Sequence, residues 1–397
     1  MSYRLNEGCQ LNRLEKVCLF NSPCEGREIT ISLDPGRNIL VLTGFNGVGK
    51  SRVLSAILES LSLVNGIDYS DWSEDWIIKL DFEGGYTFHG MKFDTLGTVK
   101  KKDWESSIRQ LLINPKPLPE MFASMAKAIV ETKMREGFAS KSGDDEDQVY
   151  CAMQLNRSPE EAPEFVKSLR VVGFISDRVV FGYERSSESA VFAKKELEGD
   201  LDKTLYVLIN EFISSQLVRQ DLGDEIDKYI DEFLKKQGAE ADTADNELMV
   251  QTRQYVMSKI KARDIFITDE KRFADHPMFV GINKIFALTS RKLVWRDKSL
   301  GVELQAGKFV KWSSLSRGEK TLLALFLIVF LNRDGALFVL DEPDLSLHME
   351  WQKMLLPGLI DLAPNCQFIV ATHSPFLVMN TDQEKVVNMA RLVAQGG

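Results

Sequence analysis

The chain has 397 residues, room for two or three structural units and a large buried core, and its 44% hydrophobic and 27% charged residues exclude a disordered or low-complexity chain. Its 49 basic and 58 acidic side chains leave a formal charge of −9, which excludes a surface that is basic throughout and leaves room only for a local basic groove. Cys9, Cys18, Cys24, Cys151 and Cys366 are odd in number and lack CxxC spacing, so neither a disulfide framework nor a zinc knuckle is expected, and a reducing, cytoplasmic location fits best.

The N-terminal stretch MSYRLNEGCQLNRLEKV carries charges where a signal peptide needs an apolar core. Leu14–Phe20, Glu28–Leu33 and Asn38–Thr43 then read as strands between the turn-rich strings NSPCEG and DPGR. NILVLTG is nearly all apolar, as a strand buried on both faces must be. After Lys50 the spacing turns helical, with Val53, Ile57, Leu61 and Leu63 on one side. Trp76–Phe82 and Tyr86–Phe93 predict a hairpin around Gly84–Gly85.

Residues 100–290 read as a mainly helical insertion, broken by the polar loops 140–148 and 237–247. Leu201, Leu205, Leu208 and Phe212 predict one helix, and Ile226, Ile230 and Phe233 a second. The strand-like string at 168–178 is expected to carry part of the main sheet through this region. The longest apolar run, Leu322 to Leu331, is short of the roughly 20 residues that span a bilayer, so it predicts a buried helix and no membrane partner. The expected divisions are therefore 1–99, 100–290 and 291–397, the outer two forming one α/β core.

GFNGVGKS, Gly44 to Ser51, fits GxxxxGK[ST] with a buried strand before it and a helix after it. Its spacing lets the backbone from Gly44 through Asn46, Gly47, Val48 and Gly49 close around phosphate oxygens. Lys50 supplies a point charge, Ser51 a hydroxyl for Mg²⁺, and Arg52 completes the phosphate-binding set. In ALFVLDEP an apolar strand ends in two carboxylates: Asp341 suits Mg²⁺ held through water, and Glu342 suits the base that takes a proton from attacking water. ATP and Mg²⁺ are the expected ligands.

LSRGE, Leu315 to Glu319, resembles the LSGGQ/LSGGE signature of ATP-binding-cassette (ABC) ATPases, and the apolar run after it resembles the helix that follows that signature. The resemblance implies that Ser316 and Gly318 meet the γ-phosphate held by a second subunit; Ser316 is equally suited to cap its own helix with Glu319. QFIVATHSPF places His373 where the family has its switch histidine, against γ-phosphate and the catalytic water. His348 is either a residue of the loop after the acidic strand or a packing residue, and His89 and His276 are expected to have no special role. DEPDLSLHMEWQ followed by ATHSP resembles the DEPExxLHPxxQ…THSP pattern of ATPases related to the overcoming-lysogenization-defect (OLD) nucleases and of the stand-alone ATPases of anti-phage operons of the PARIS and Septu kind. Arg317 for a signature glycine, Met349 for proline and His348 for the loop aspartate depart from the patterns. No clear Q-loop glutamine is visible; Ile175–Arg178 is the candidate segment.

The resemblance implies an ABC-type P-loop ATPase core with a large mainly helical insertion, acting as a homodimer or higher homo-oligomer. It further implies regulation of a separate effector, with a nuclease from the same operon expected in that role, in bacterial anti-phage defence, and with DNA or a phage protein as trigger. The stretch after Pro375 is too short for a nuclease domain, which is expected on a partner, and 185–275 is the expected docking or sensing module. The long insertion disfavours a transporter subunit, and its broken helices disfavour a coiled-coil repair ATPase. The alternative is a DNA-end-binding ATPase of the recombination-mediator type, with Lys100–Lys102, Arg291, Lys292, Arg296 and Lys298 as its basic candidates.

Overall fold

The computed structural model describes residues 12–20, 28–33, 38–64, 76–94, 139–141, 148–155, 165, 168–175, 178–181, 200–219, 273–296, 299–379 and 381–395. By internal packing the chain forms two compact units, Met1–Ser186 with Asn332–Gly397, and Ser187–Leu331. The chain is α/β, as its sequence predicts.

In the first unit, β1 (Leu14–Phe20) pairs antiparallel with β2 (Glu28–Ser32) on one side and β4 (Trp76–Phe82) on the other. The expected hairpin partner β5 (Tyr86–Asp94) follows β4, and β7 (Gln148–Leu155) and β6 (Ala139–Lys141) extend the sheet in the order β2-β1-β4-β5-β7-β6. Those last two strands fall within the stretch 100–290 that reads as a mainly helical insertion, much of which lies outside the described residues. QVYCAMQL places Val149, Cys151, Met153 and Leu155 two apart, the strand period, and β5 offers it an open edge.

The second sheet of this unit runs β15 (Val386–Asn388), β3 (Ile39–Thr43), β14 (Gln367–Ala371), β13 (Leu337–Asp341), β8 (Val171–Ile175), β9 (Arg178–Phe181). The first five are mutually parallel and β9 turns back antiparallel on β8. β8 and β14 are buried along their whole length, which is why these strands read as unbroken apolar runs rather than alternations. The string at 168–178 thus lies within the parallel sheet.

Helix α1 (Lys50–Val64) packs on β8, β13 and β14 and also on β4, so it lies between the two sheets. Its spacing predicts one apolar face, but Ser55, Glu59, Ser60 and Ser62 on its other sides are buried too. Each is satisfied locally. Ser55 and Ser62 donate to the carbonyls four residues back, Ser60 donates to Ile57 O, and Glu59 accepts the Trp76 indole N–H at 2.8 Å. At Gly173 in β8 a Cβ would lie 2.4 Å from Leu58 Cδ2, so the glycine sets how closely α1 approaches the sheet. Buried Gln367 accepts from Leu14 N and donates to Leu14 O, fastening β1 to the head of β14.

In the second unit, α2 (Asp200–Arg219), α3 (Pro277–Phe286) and α4 (Arg317–Leu331) pack with the antiparallel sheet β10 (Arg291–Arg296), β11 (Ser299–Leu304), β12 (Phe309–Lys311). Leu205, Leu208 and Phe212 are buried on α2, at the spacing that predicts them. Phe212 meets Phe273, Phe279, His276 and Phe330 in one aromatic cluster, and Lys320 of α4 pairs with Asp202 of α2 at 2.6 Å. The second predicted helix, with Ile226, Ile230 and Phe233, and the loop 237–247 lie outside the described residues.

Candidate functional site

Parallel strands end at the same edge of their sheet, and the loops after β3, β13 and β14 leave that edge side by side, β14 lying between the other two. Ligands of open α/β sheets bind outside the carboxyl ends of the strands. Backbone hydrogen bonds tie the three loop starts together: Glu342 N donates to Ala371 O at 2.9 Å, and Thr372 N to Leu42 O at 3.1 Å.

The loop after β3 turns through three glycines with positive φ, Gly44 at 138°, Gly47 at 80° and Gly49 at 89°. At Gly47 a Cβ would meet nothing within 4 Å, so the backbone conformation alone demands glycine there. Asn46 is exposed, Val48 half-buried and Arg52 exposed. Lys50 opens α1 and is buried; its Nζ donates to Gly44 O at 3.1 Å and Phe45 O at 3.3 Å. Burial lowers the Lys50 pKa, against which the charges of Glu342 and Asp341 pull it back up.

Ser51 donates to Asp341 Oδ1 at 3.1 Å, joining the glycine loop to the end of β13. Burial raises the Asp341 pKa; the Ser51 hydrogen bond and the Lys50 charge oppose that rise, and Glu342 adds to it. Glu342 has φ of 47°, in the left-handed region a glutamate seldom occupies. This kink ends the strand and aims the carboxylate at the next loop, where Glu342 Oε1 lies 3.4 Å from His373 Nε2. The same nitrogen is 2.7 Å from Lys50 Nζ. Because an ammonium only donates, Nε2 faces it as the acceptor.

Lys50, Ser51, Asp341, Glu342 and His373 are thus drawn from three loops into one connected cluster. A hydroxyl and a carboxylate 3.1 Å apart are hard oxygen donors of the kind Mg²⁺ takes, usually one or two from protein with phosphate and water completing the shell. The arrangement suits phosphate binding beside a carboxylate base.

Ser316 belongs to the second unit, where it forms the cap its sequence allows. Its N–H and hydroxyl donate to Glu319 Oε2 at 2.8 and 2.7 Å, and Glu319 N donates back to Ser316 Oγ. Arg291 holds the other Glu319 oxygen at 2.7 Å. Gly318 is buried and Arg317 exposed. Of the basic candidates for DNA, Arg291 pairs with Glu319 and Arg296 with Glu303 at 2.9 Å. Lys292 is exposed, while Lys100–Lys102 and Lys298 lie outside the described residues. The backbone of Arg178 pairs with that of Ile175 where β8 turns into β9.

His348 caps α5 (Met349–Leu362), its ring accepting from Glu350 N, and His276 caps α3 in the same way from Met278 N. His89 is buried in β5. Four residues around His373 escape a reading by motif role: Thr372 donates to Asp344 Oδ1 at 2.7 Å, and Ser374 donates to Gln352 Oε1 at 2.6 Å. All four stand inside DEPDLSLHMEWQ and ATHSP, so the strings hold them without saying which touches which. Among the described residues no helix is long and apolar enough to cross a membrane.

The model of the family described as "AAA domain, putative AbiEii toxin, Type IV TA system" matches residues 39–380, from β3 through the segment after His373. The chain is similar to the "Retron Vc95 probable ATPase" of Vibrio cholerae serotype O1 biovar El Tor, at 22% identity over 89% of this chain and 69% of that one. It is also similar to the "Retron Ec83 probable ATPase" of Escherichia coli, 42% identical over 84 residues, which are 18% of this chain and 16% of that one. Among solved structures, the SMC head domain from Thermotoga maritima aligns with a TM-score of 0.38 and 14% identity, over 95% of this chain and 96% of that one.

Proposed function

The chain is a P-loop ATPase that belongs to the family described as "AAA domain, putative AbiEii toxin, Type IV TA system", and from that premise we propose that it dimerises around Mg²⁺-ATP and regulates a separate effector, a nuclease, in bacterial anti-phage defence. The observation that carries the catalytic part is the cluster of Lys50, Ser51, Asp341, Glu342 and His373 at one edge of the parallel sheet. Lys50 and the amides of residues 44–49 hold the phosphates, and Ser51 with Asp341 would hold Mg²⁺, which neutralises phosphate charge. Glu342 accepts a proton from the attacking water, and His373 lies between that carboxylate and Lys50, where it orients water against the terminal phosphate. Ser316 and Gly318 of a second copy complete the site, in a two-fold arrangement that gives each dimer two such sites.

The defence setting rests on the family description and on the names of the two retron ATPases. The relation to OLD nucleases rests on the DEPDLSLHMEWQ and ATHSP strings. The effector is expected as a protein that co-purifies with the chain from its native operon. For the site itself, Lys50→Ala removes the cation that the glycine loop aims at phosphate, so calorimetry should find ATP binding lost. Unchanged affinity in a folded variant would remove the phosphate-loop assignment.

A further inference from the structure

The ring of His373 touches Lys50 and Glu342 through one nitrogen, yet both neighbours of His373 in the chain are anchored elsewhere. Thr372, fully buried, donates to Asp344 Oδ1 at 2.7 Å and accepts from Ser374 N at 2.9 Å. Ser374 donates to Gln352 Oε1 at 2.6 Å and accepts from Phe376 N at 3.1 Å and Leu377 N at 3.4 Å, which starts the short helix α6 (Pro375–Val378). Gln352, in the first turn of α5, gives its two amide protons to Asp344 O and Leu347 O, each at 3.0 Å. Two carbonyls can only be met by the NH₂ end of the amide, so the side chain has one orientation and its oxygen must face Ser374.

We propose that Gln352 is a positioning residue for His373, clamping the loop that follows Glu342 to the segment that carries the histidine. The inference rests on the reading of His373 as a hydrolytic residue. Its geometry is specific. Glu342 and His373 stand on loops of different strands, and their 3.4 Å approach depends on holding those loops in register. Gln352 joins them by three hydrogen bonds, two to the Glu342 side and one to the His373 side, while Asp344 and Thr372 make the parallel link on the buried side. Lys353, next along α5, lies over the Phe376 ring at 5.8 Å and strengthens the same contact. Removing Gln352 frees the exposed half of the clamp and leaves the nucleotide-contacting groups in place.

The chain has four histidines, so the His373 ring can be followed by NMR of histidine-labelled protein, its signal assigned by loss in His373→Gln. Gln352→Ala should shift or broaden the His373 ring signals and leave those of His89 and His276 in place. Ser374→Ala, which cuts the same bond from the other side, should do likewise. In ATP hydrolysis, Gln352→Ala should lower kcat about 10- to 100-fold, a part of the roughly 10²–10⁴-fold that a positioned proton-handling group contributes, with KM changed less than threefold. In the His373→Gln background it should lower kcat no further, because a residue that acts through another has no effect once that other is gone. Unmoved His373 signals in both variants would overturn the inference, and so would a kcat loss that recurs in full without His373. A wild-type chain that bound ATP and never hydrolysed it would sink the hydrolytic reading instead, with the ring signals still deciding whether Gln352 positions His373.

Discussion

Glu342 has a backbone conformation that costs free energy, and its two simplest replacements should reveal that cost. At φ of 47° a Cβ crowds the following carbonyl, which costs an L-residue roughly 1–2 kcal/mol. Alanine keeps that cost and glycine does not. Glycine loses about 0.5–1 kcal/mol more than alanine in chain entropy on folding, so Glu342→Gly should be more stable than Glu342→Ala by up to about 1.5 kcal/mol, centred on ~0.75 kcal/mol. In ordinary strand or helix backbone the order is reversed, which makes the sign informative. Both variants lose the Glu342–His373 contact and the charge beside Asp341, so those effects cancel in the comparison. Urea unfolding of the two proteins side by side reads the difference, and ATP hydrolysis should fall in both by about 10²–10⁴-fold. An alanine variant more stable than the glycine variant would refute the left-handed kink and with it the explanation of how the carboxylate leaves the strand toward His373.

Buried His89 makes a pH prediction: burial, helped by the Lys79 charge and opposed by Asp81, lowers its pKa from 6.5 to about 4. The unfolded chain then binds a proton between those values that the folded chain refuses, so stability falls as pH drops through this window, by about 2.5 kcal/mol at pH 4.5. His89→Gln should flatten that limb of the urea-midpoint profile, and an unchanged slope would contradict the buried neutral imidazole. For the composite site, Lys50→Ala and Ser316→Arg, each inactive alone, should recover about a quarter of wild-type hydrolysis when mixed under subunit exchange, since half the dimers hold one intact site of two. Normal, concentration-independent turnover by Ser316→Arg would leave Ser316 only its capping role.

What the sequence disclosed about this site is what lies close together in the chain. The spacing of Gly44, Gly47 and Gly49 reads directly as a loop needing positive φ, and the apolar strings before Asp341 and His373 read as buried strands. Their placement at one sheet edge follows once all three are taken as parallel. Less legible were features set by distant partners. Nothing in DEPD announces that Glu342 is left-handed, because glutamate shows no preference for that conformation and the Ala371 carbonyl that fixes it lies on another strand. The clamp joining Gln352 to Ser374 and Asp344 to Thr372 spans separate loops, so its members are visible and its bonds are not. The strand at 148–155 was legible in the alternation of QVYCAMQL, but long flanking helical patterns masked a short period-two run.

The central claim is that Lys50, Ser51, Asp341, Glu342 and His373 form one ATP-hydrolysing site, and Glu342→Gln probes it most directly because the amide keeps the shape of the side chain and loses its basicity. In a single turnover with Mg²⁺-ATP, the variant should bind ATP as wild type does and form ADP about 10²–10⁴-fold more slowly. ADP formation at the wild-type rate would contradict the account, for it would place the base outside this cluster.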